Sequence, residues 1–209
     1  MHAKIFSSKQ HSTMASCILI TAIICVLIAT VAVIVAFATP NWAKFQGSPT
    51  KLCGCNDCDC GLWLQCAGGF SDGSIDNCKW YFTDEFRIEK LLPDWFKAVQ
   101  GLMSCAIASS LIALIIGLFS LCCYCKSCSA HHAAGVFILL TFLLVTSAVC
   151  VFGAKGHLDH SMQVIVIDGN ASSPYVLYGW SFWVAVSGAG MSLIASFLYL
   201  CVGRRDEYV

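Results

Sequence analysis

Charged residues are scarce in this sequence: they make up 11% of the 209 residues, against 58% hydrophobic, and the mean hydropathy is +0.75. That excludes an ordinary soluble domain, where about a quarter of residues carry charge. The few charges also cancel, with Lys+Arg 12 against Asp+Glu 12. The chain has neither a basic field for nucleic acid nor an acidic solvating tail, so nucleic acid is not expected as a partner. A Gly-rich phosphate loop is missing, and so is any Ser/His/Asp or Cys/His constellation. Neither an enzyme nor a cofactor is expected.

Four stretches lack Asp, Glu, Lys and Arg entirely: SCILITAIICVLIATVAVIVAFA, VQGLMSCAIASSLIALIIGLFSLCC, AAGVFILLTFLLVTSAVCVF and YGWSFWVAVSGAGMSLIASFLYLCV. Each meets the roughly 20 apolar residues a bilayer crossing needs. The first, from Ser16 to Ala38, outruns the about 7–15 residues of a secretory signal, so it reads as an anchor. Transmembrane helices are predicted at 15–38, 98–123, 133–154 and 178–202. They leave 1–14, 124–132 and 203–209 on one side, with loops 39–97 and 155–177 on the other. No ionisable group stands in mid-span, which argues against a proton relay, voltage sensor or ion-coupled transporter. Ala185, Gly188, Ala189 and Ser192 have helical spacing and suit close helix packing.

Lys4, Lys9, Lys126, Arg204 and Arg205 flank the helices on the terminal side, in the short segments where positive charge sets orientation. The long loop carries Lys44, Lys51, Lys79, Arg87, Lys90 and Lys97, but long translocated loops weigh less. Both termini are therefore placed in the cytoplasm. Asn170-Ala171-Ser172 is an N-glycosylation sequon in the shorter outer loop, so Asn170 is a candidate acceptor. The long loop holds Cys53, Cys55, Cys58, Cys60, Cys66 and Cys78, an even set suited to an oxidising space; outside the cell, disulfides are favoured over a zinc cage. WAKFQ, LWLQC, KWYFTDEF and MQVIVID have the aromatic or β-branched content of strands. A small extracellular antiparallel sheet of four or five strands is expected to stand on the helix bundle.

A second thiol cluster lies on the cytoplasmic side: Cys122, Cys123, Cys125 and Cys128 after the second helix, and Cys201 ending the fourth. Thiols at that depth are acceptors for S-acylation. The alternatives are unmodified thiols, or a zinc site using Cys125, Cys128 and His131 or His132 with compressed spacing. The two histidines are otherwise interfacial.

Trp42 after ATPN, then Gly61-Leu62-Trp63, then Cys66 and Cys78, resembles the W…GLW…C…C signature of the claudin superfamily. LLPDWFKAVQGLM, LYGW and a chain ending in Tyr208-Val209 extend the likeness over all four helices and the loop order. Two positions depart from it: Ala43 and Gln100 stand where claudins usually carry arginine, and the CGCNDCDC insert is foreign to the pattern. The resemblance implies a claudin-like four-helix bundle bearing a small sheet, with Trp42 packed against the Gly61-Leu62-Trp63 turn. It also implies a Cys66–Cys78 disulfide, leaving the pairing of Cys53, Cys55, Cys58 and Cys60 open. Lys79, next after Cys78, would then face a paracellular path. Glu207, Tyr208 and Val209 would form a PDZ ligand by strand addition, with the carboxylate in a nest of N–H groups and Val209 in an apolar pocket. The implied function is a junctional protein at cell-cell contacts in the plasma membrane, its partners being the bilayer, like proteins in cis and trans, and PDZ scaffolds. The same signature is shared by auxiliary subunits of channels, which is the alternative.

Overall fold

A computed structural model describes residues 2–45, 58–68, 77–81, 92–122, 129–158 and 177–206. In chain order the elements are α1 (His2–Ala38), β1 (Ala43–Phe45), β2 (Cys58–Cys60), β3 (Leu64–Ala67), β4 (Cys78–Trp80), α2 (Asp94–Cys122), α3 (Ser129–Leu158), β5 (Leu177–Tyr178) and α4 (Trp180–Asp206). The helices contain apolar spans Cys17–Ala38, Asp94–Ser120, Ala130–Gly156 and Trp180–Val202, each long enough to cross a bilayer.

Helix ends follow capping chemistry, whereas the apolar runs report only the hydrocarbon requirement. α1 stops where Thr39 turns both its N–H (3.1 Å) and its hydroxyl (2.7 Å) back to Val35 O, and Pro40 then denies the helix a further donor. α2 starts earlier than its charge-free run, because Pro93 O accepts from the N–H groups of Phe96 and Lys97 at 3.0 and 3.2 Å. Asp94 complements the helix N-terminus in that first turn. Tyr178, read from sequence as the start of the last helix, belongs instead to β5. The reason is a turn at Gly179, whose N–H donates to Trp42 O at 3.1 Å and holds the segment against the sheet.

The helices close a ring in which α1 packs on α2 and α4, and α3 on those same two. Their sorting is that of a membrane protein. Bulky side chains such as Ile20, Ile24, Ile115, Leu143 and Phe197 face outward, while Ala22, Ala29, Ala36, Ala106, Ala113, Ala134, Ala148 and Ala195 are fully buried inside. In lipid, outward apolar residues cost nothing and small inward ones let backbones approach. A Cβ on Gly188 would meet Ala32 and Val33 of α1 at 3.3 Å. Two apolar clusters, one centred on Trp42 and Phe152 and one on Tyr199 and Ile138, occupy the two ends of the bundle. Between them lie the buried hydroxyls of Thr30, Ser109, Ser110, Thr141 and Ser192. Ser109 and Thr141 bridge α2 and α3 at 2.7 Å, and Thr30 and Ser192 satisfy themselves on Val26 O and Gly188 O of their own helices. Among the helix residues whose burial is described, no Asp, Glu, Lys or Arg is buried.

The five strands among the described residues run in spatial order β4-β3-β2-β1-β5, and every pairing between them is antiparallel. β1 falls within WAKFQ, β3 overlaps LWLQC and ends one residue beyond it, and β4 overlaps the start of KWYFTDEF from Cys78; β2 and β5 come from CDC and LY, where no strand was expected. MQVIVID lies outside the described residues.

Candidate functional site

The site is the seam where the sheet meets the helix ring. Trp42 is fully buried there, three residues past the end of α1's own carbonyl cap. Its indole N–H donates to Ala36 O at 2.6 Å, so the large ring enters the bundle without an unsatisfied donor. Its edge-to-face partners are Phe152 of α3 at 5.0 Å and Phe182 of α4 at 6.0 Å. The Trp42 N–H bonds Cys60 O at 3.0 Å, tying the same residue to β2.

Gly61-Leu62-Trp63 forms the β2–β3 turn, closed by Gly61 N–H to Leu64 O at 3.0 Å. Glycine is required at its first position: a Cβ on Gly61 would lie 2.6 Å from both Pro40 Cα and Thr39 O. The turn therefore meets the Trp42 segment backbone to backbone, while the indole ring points past it toward α3 and α4. Leu62 is fully buried, and Trp63 is half-buried, its ring edge-to-face with Phe37 of α1 at a centroid separation of 5.1 Å. Gln100 Nε2 donates to Leu62 O at 2.6 Å, so α2 also holds the turn. Directly after β4, the Tyr81 N–H reaches Trp63 O at 3.0 Å and its hydroxyl reaches Gly61 O at 3.3 Å. Burial pushes the Tyr81 phenol well above its ordinary range.

α3 and α4 complete the seam. Tyr178 stacks on Phe182 at 4.5 Å and donates to Gly153 O of α3 at 2.8 Å. Ser181 N–H bonds Asn41 O at 3.1 Å, and the Thr39 and Ser181 hydroxyls pair at 2.7 Å. Asn41 Nδ2 donates to the buried Asp59 carboxylate at 2.6 Å, anchoring the α1 exit to β2. Every helix thus contributes a hydrogen bond to the sheet or to the segments flanking it.

Cys66 and Cys78 are joined by a disulfide across their registered β3–β4 pair. Cys58 and Cys60 of β2 are disulfide-bonded too; Cys53 and Cys55 lie outside the described residues. Ala43, the small residue in an expected arginine position, is fully buried between Cys60 and Tyr178. Lys79 is exposed on β4 opposite Gln65. Cys201 is exposed near the end of α4, and Cys122 ends α2. Cys123, Cys125, Cys128, Asn170, Glu207, Tyr208 and Val209 lie outside the described residues. No group of three metal-ligating side chains occurs among the described residues. Phe152 and Tyr81 carry no signal in the sequence that sets them apart from other apolar or aromatic residues, whereas Tyr178 belongs to the LYGW stretch. Gln100 does stand out, as an amide in a charge-free run.

Comparison with known proteins agrees with this geometry. The family model described as PMP-22/EMP/MP20/Claudin tight junction matches residues 20–201. Human transmembrane protein 182 is 34% identical over 104 residues, covering 49% of this chain and 44% of the relative. The mouse protein of the same name is 31% identical over 107 residues, 51% of this chain and 45% of the relative. The match thus spans less than half the length of either relative. A complete four-helix ring, a five-stranded sheet keyed to it through Trp42 and the Gly61-Leu62-Trp63 turn, and a family match across all four helices lead to one assignment: this chain belongs to the PMP-22/EMP/MP20/claudin family of membrane proteins.

Proposed function

We propose that this protein acts at cell-cell contacts in the plasma membrane, where its outer sheet meets like proteins in cis and trans and shapes a paracellular barrier or ion-selective path. The observation that carries this reading is the seam itself. Because Trp42, Gln100, Tyr178 and Ser181 bind sheet-bearing segments to all four helices, a contact made by the sheet is borne by the whole bundle. The bundle interior is packed and uncharged, so function belongs to its surfaces. Both termini are placed in the cytoplasm, and the 207–209 tail is read as a ligand for PDZ scaffolds. Lys79 is placed as a fixed cation beside the path. Tagged protein expressed in a polarised epithelium tests this: restriction to cell contacts is expected, and uniform distribution over the free surface would reject it.

A second reading, an auxiliary subunit of a channel or receptor in the same membrane, is favoured by the outer face of α4. Trp183 and Phe197 are 60% and 58% exposed there, offering aromatic surface to a neighbouring helix. Co-purification with such a partner from isolated, contact-free cells would select it.

A further inference from the structure

On the α2–α3 side of the ring, the outward face changes character halfway along the bundle. Away from the sheet its exposed residues are bulky, such as Leu111 and Ile115 on α2 and Leu139 and Leu143 on α3. Toward the sheet they become small: Ala98, Gly101, Cys105 and Ala108 on α2, Ser147 and Ala154 on α3. α1 stays bulky in the same half, where Val31 and Ile34 are exposed. A Cβ on Gly101 would meet nothing within 4 Å. Two further observations bear on what covers this half-face. The exposed Ser147 hydroxyl makes no hydrogen bond among the described residues, whereas the outward hydroxyls of Ser104 and Ser187 turn back to Gln100 O and Val184 O, each at 2.8 Å. In hydrocarbon an unpaired hydroxyl is costly and calls for an acceptor on a neighbouring helix. The second observation is charge. The Ser109–Thr141 hydroxyl pair sets a common height on α2 and α3; at about 1.5 Å per residue, Asp94 stands about 22 Å above it and Lys155 about 21 Å. Both side chains are exposed, and the Asp94 carboxylate remains so although Lys97 lies 4.0 Å away.

We propose that the sheet-proximal half of the α2–α3 face seats a second copy of this chain in an isologous contact. Two copies inserted the same way in one membrane are related by an axis along the membrane normal, which leaves every residue at its own height. Asp94 of one copy then stands level with Lys155 of the other, twice over. Ser147, about 9 Å above the hydroxyl pair, is level with the stretch from Cys105 to Gly101 of the other copy, at about 6 to 12 Å. Small residues let the backbones approach, and the approach brings helix carbonyls within reach of the Ser147 hydroxyl. Exposed ion pairs add little affinity, so packing holds the pair together while the charges select its partner and register. The contact deepens the proposed association in cis and rests on that reading.

The test co-expresses two differently tagged copies of the full chain in cells kept apart from one another and measures capture of one copy by the other from detergent extracts. Wild-type copies should capture each other. Gly101→Leu, which fills the face, should lose that capture while its cell-surface level holds. Asp94→Lys and Lys155→Glu should each capture their own kind poorly but capture one another, because the mixed pair restores both charge contacts; a folding defect does not give that pattern. Wild-type capture that persists unchanged in all three variants would place the cis contact on another face and overturn this one. Absence of capture between wild-type copies would overturn the cis reading itself, and this face with it.

Discussion

Gln100, on the first turns of α2, donates a 2.6 Å hydrogen bond to the carbonyl of Leu62, which is 38 residues away in sequence and sits at the tip of the β2–β3 turn. Gln100→Leu leaves that buried acceptor unsatisfied and should cost about 1–3 kcal/mol. Thermal unfolding in detergent would report it as a lower Tm. Gln100→Arg, which restores donors where claudins carry arginine, should lose less; equal loss in both would show that the hydrogen bond is not what matters.

Gly61→Ala should destabilise by about 1–3 kcal/mol, since the backbone atoms of Thr39 and Pro40 that it meets cannot rotate away. Gly101→Ala is the control. Nothing lies within 4 Å of its new methyl, and alanine favours a helix over glycine by about 1 kcal/mol. Cell-surface yield should fall for the first and hold for the second.

Alkali should loosen the seam through Tyr81. Its phenol is raised by burial from the ordinary 10.0, so the folded state holds the proton when the unfolded chain has released it. The stability is intact below pH 10.0 and declines as pH rises above it. Unfolding followed from neutral to alkaline pH should show that decline, and Tyr81→Phe should flatten it.

Lys79→Asp reverses a fixed charge on β4. In an epithelial monolayer with normal junctional levels of the protein, cation over anion permeability should rise, as local electrostatics requires. Unchanged dilution potentials would remove Lys79 from the path.

Adding one Asp after Val209 should abolish capture by junctional PDZ domains in a pull-down, since it displaces the carboxylate and the apolar last side chain together. Arg204→Ala should be tolerated. The opposite pattern would point to lipid headgroups as what the tail meets.

The four helices were legible because a bilayer enforces long charge-free runs, and the strands β1, β3 and β4 because their aromatics stand out from the loop. β2 was not: Cys58-Asp59-Cys60 has no β-branched or aromatic residue, and its pairing is set by neighbours on both sides. β5 was hidden because Leu177-Tyr178 joins directly onto an apolar helix, so the break at Gly179 shows only when the Trp42 carbonyl is in place. At the seam, Trp42 and Gly61 could be named from sequence. The destination of the Trp42 ring, Phe152 and Phe182, could not, because it depends on which helices close the ring.

The position of β1 in the sheet has a consequence for biosynthesis. One of its neighbours, β2, is made soon after it; the other, β5, immediately precedes the last helix. At ribosomal rates the β5 side of β1 therefore waits on the order of 10 s for its partner. An open strand edge invites pairing with other chains during that interval. A chain stopped between the end of α3 and Leu177 keeps its first three helices and the hydrogen bonds among β1, β2, β3 and β4 but presents that edge permanently, so such termination creates an aggregation-prone species in the secretory membrane in addition to removing the protein.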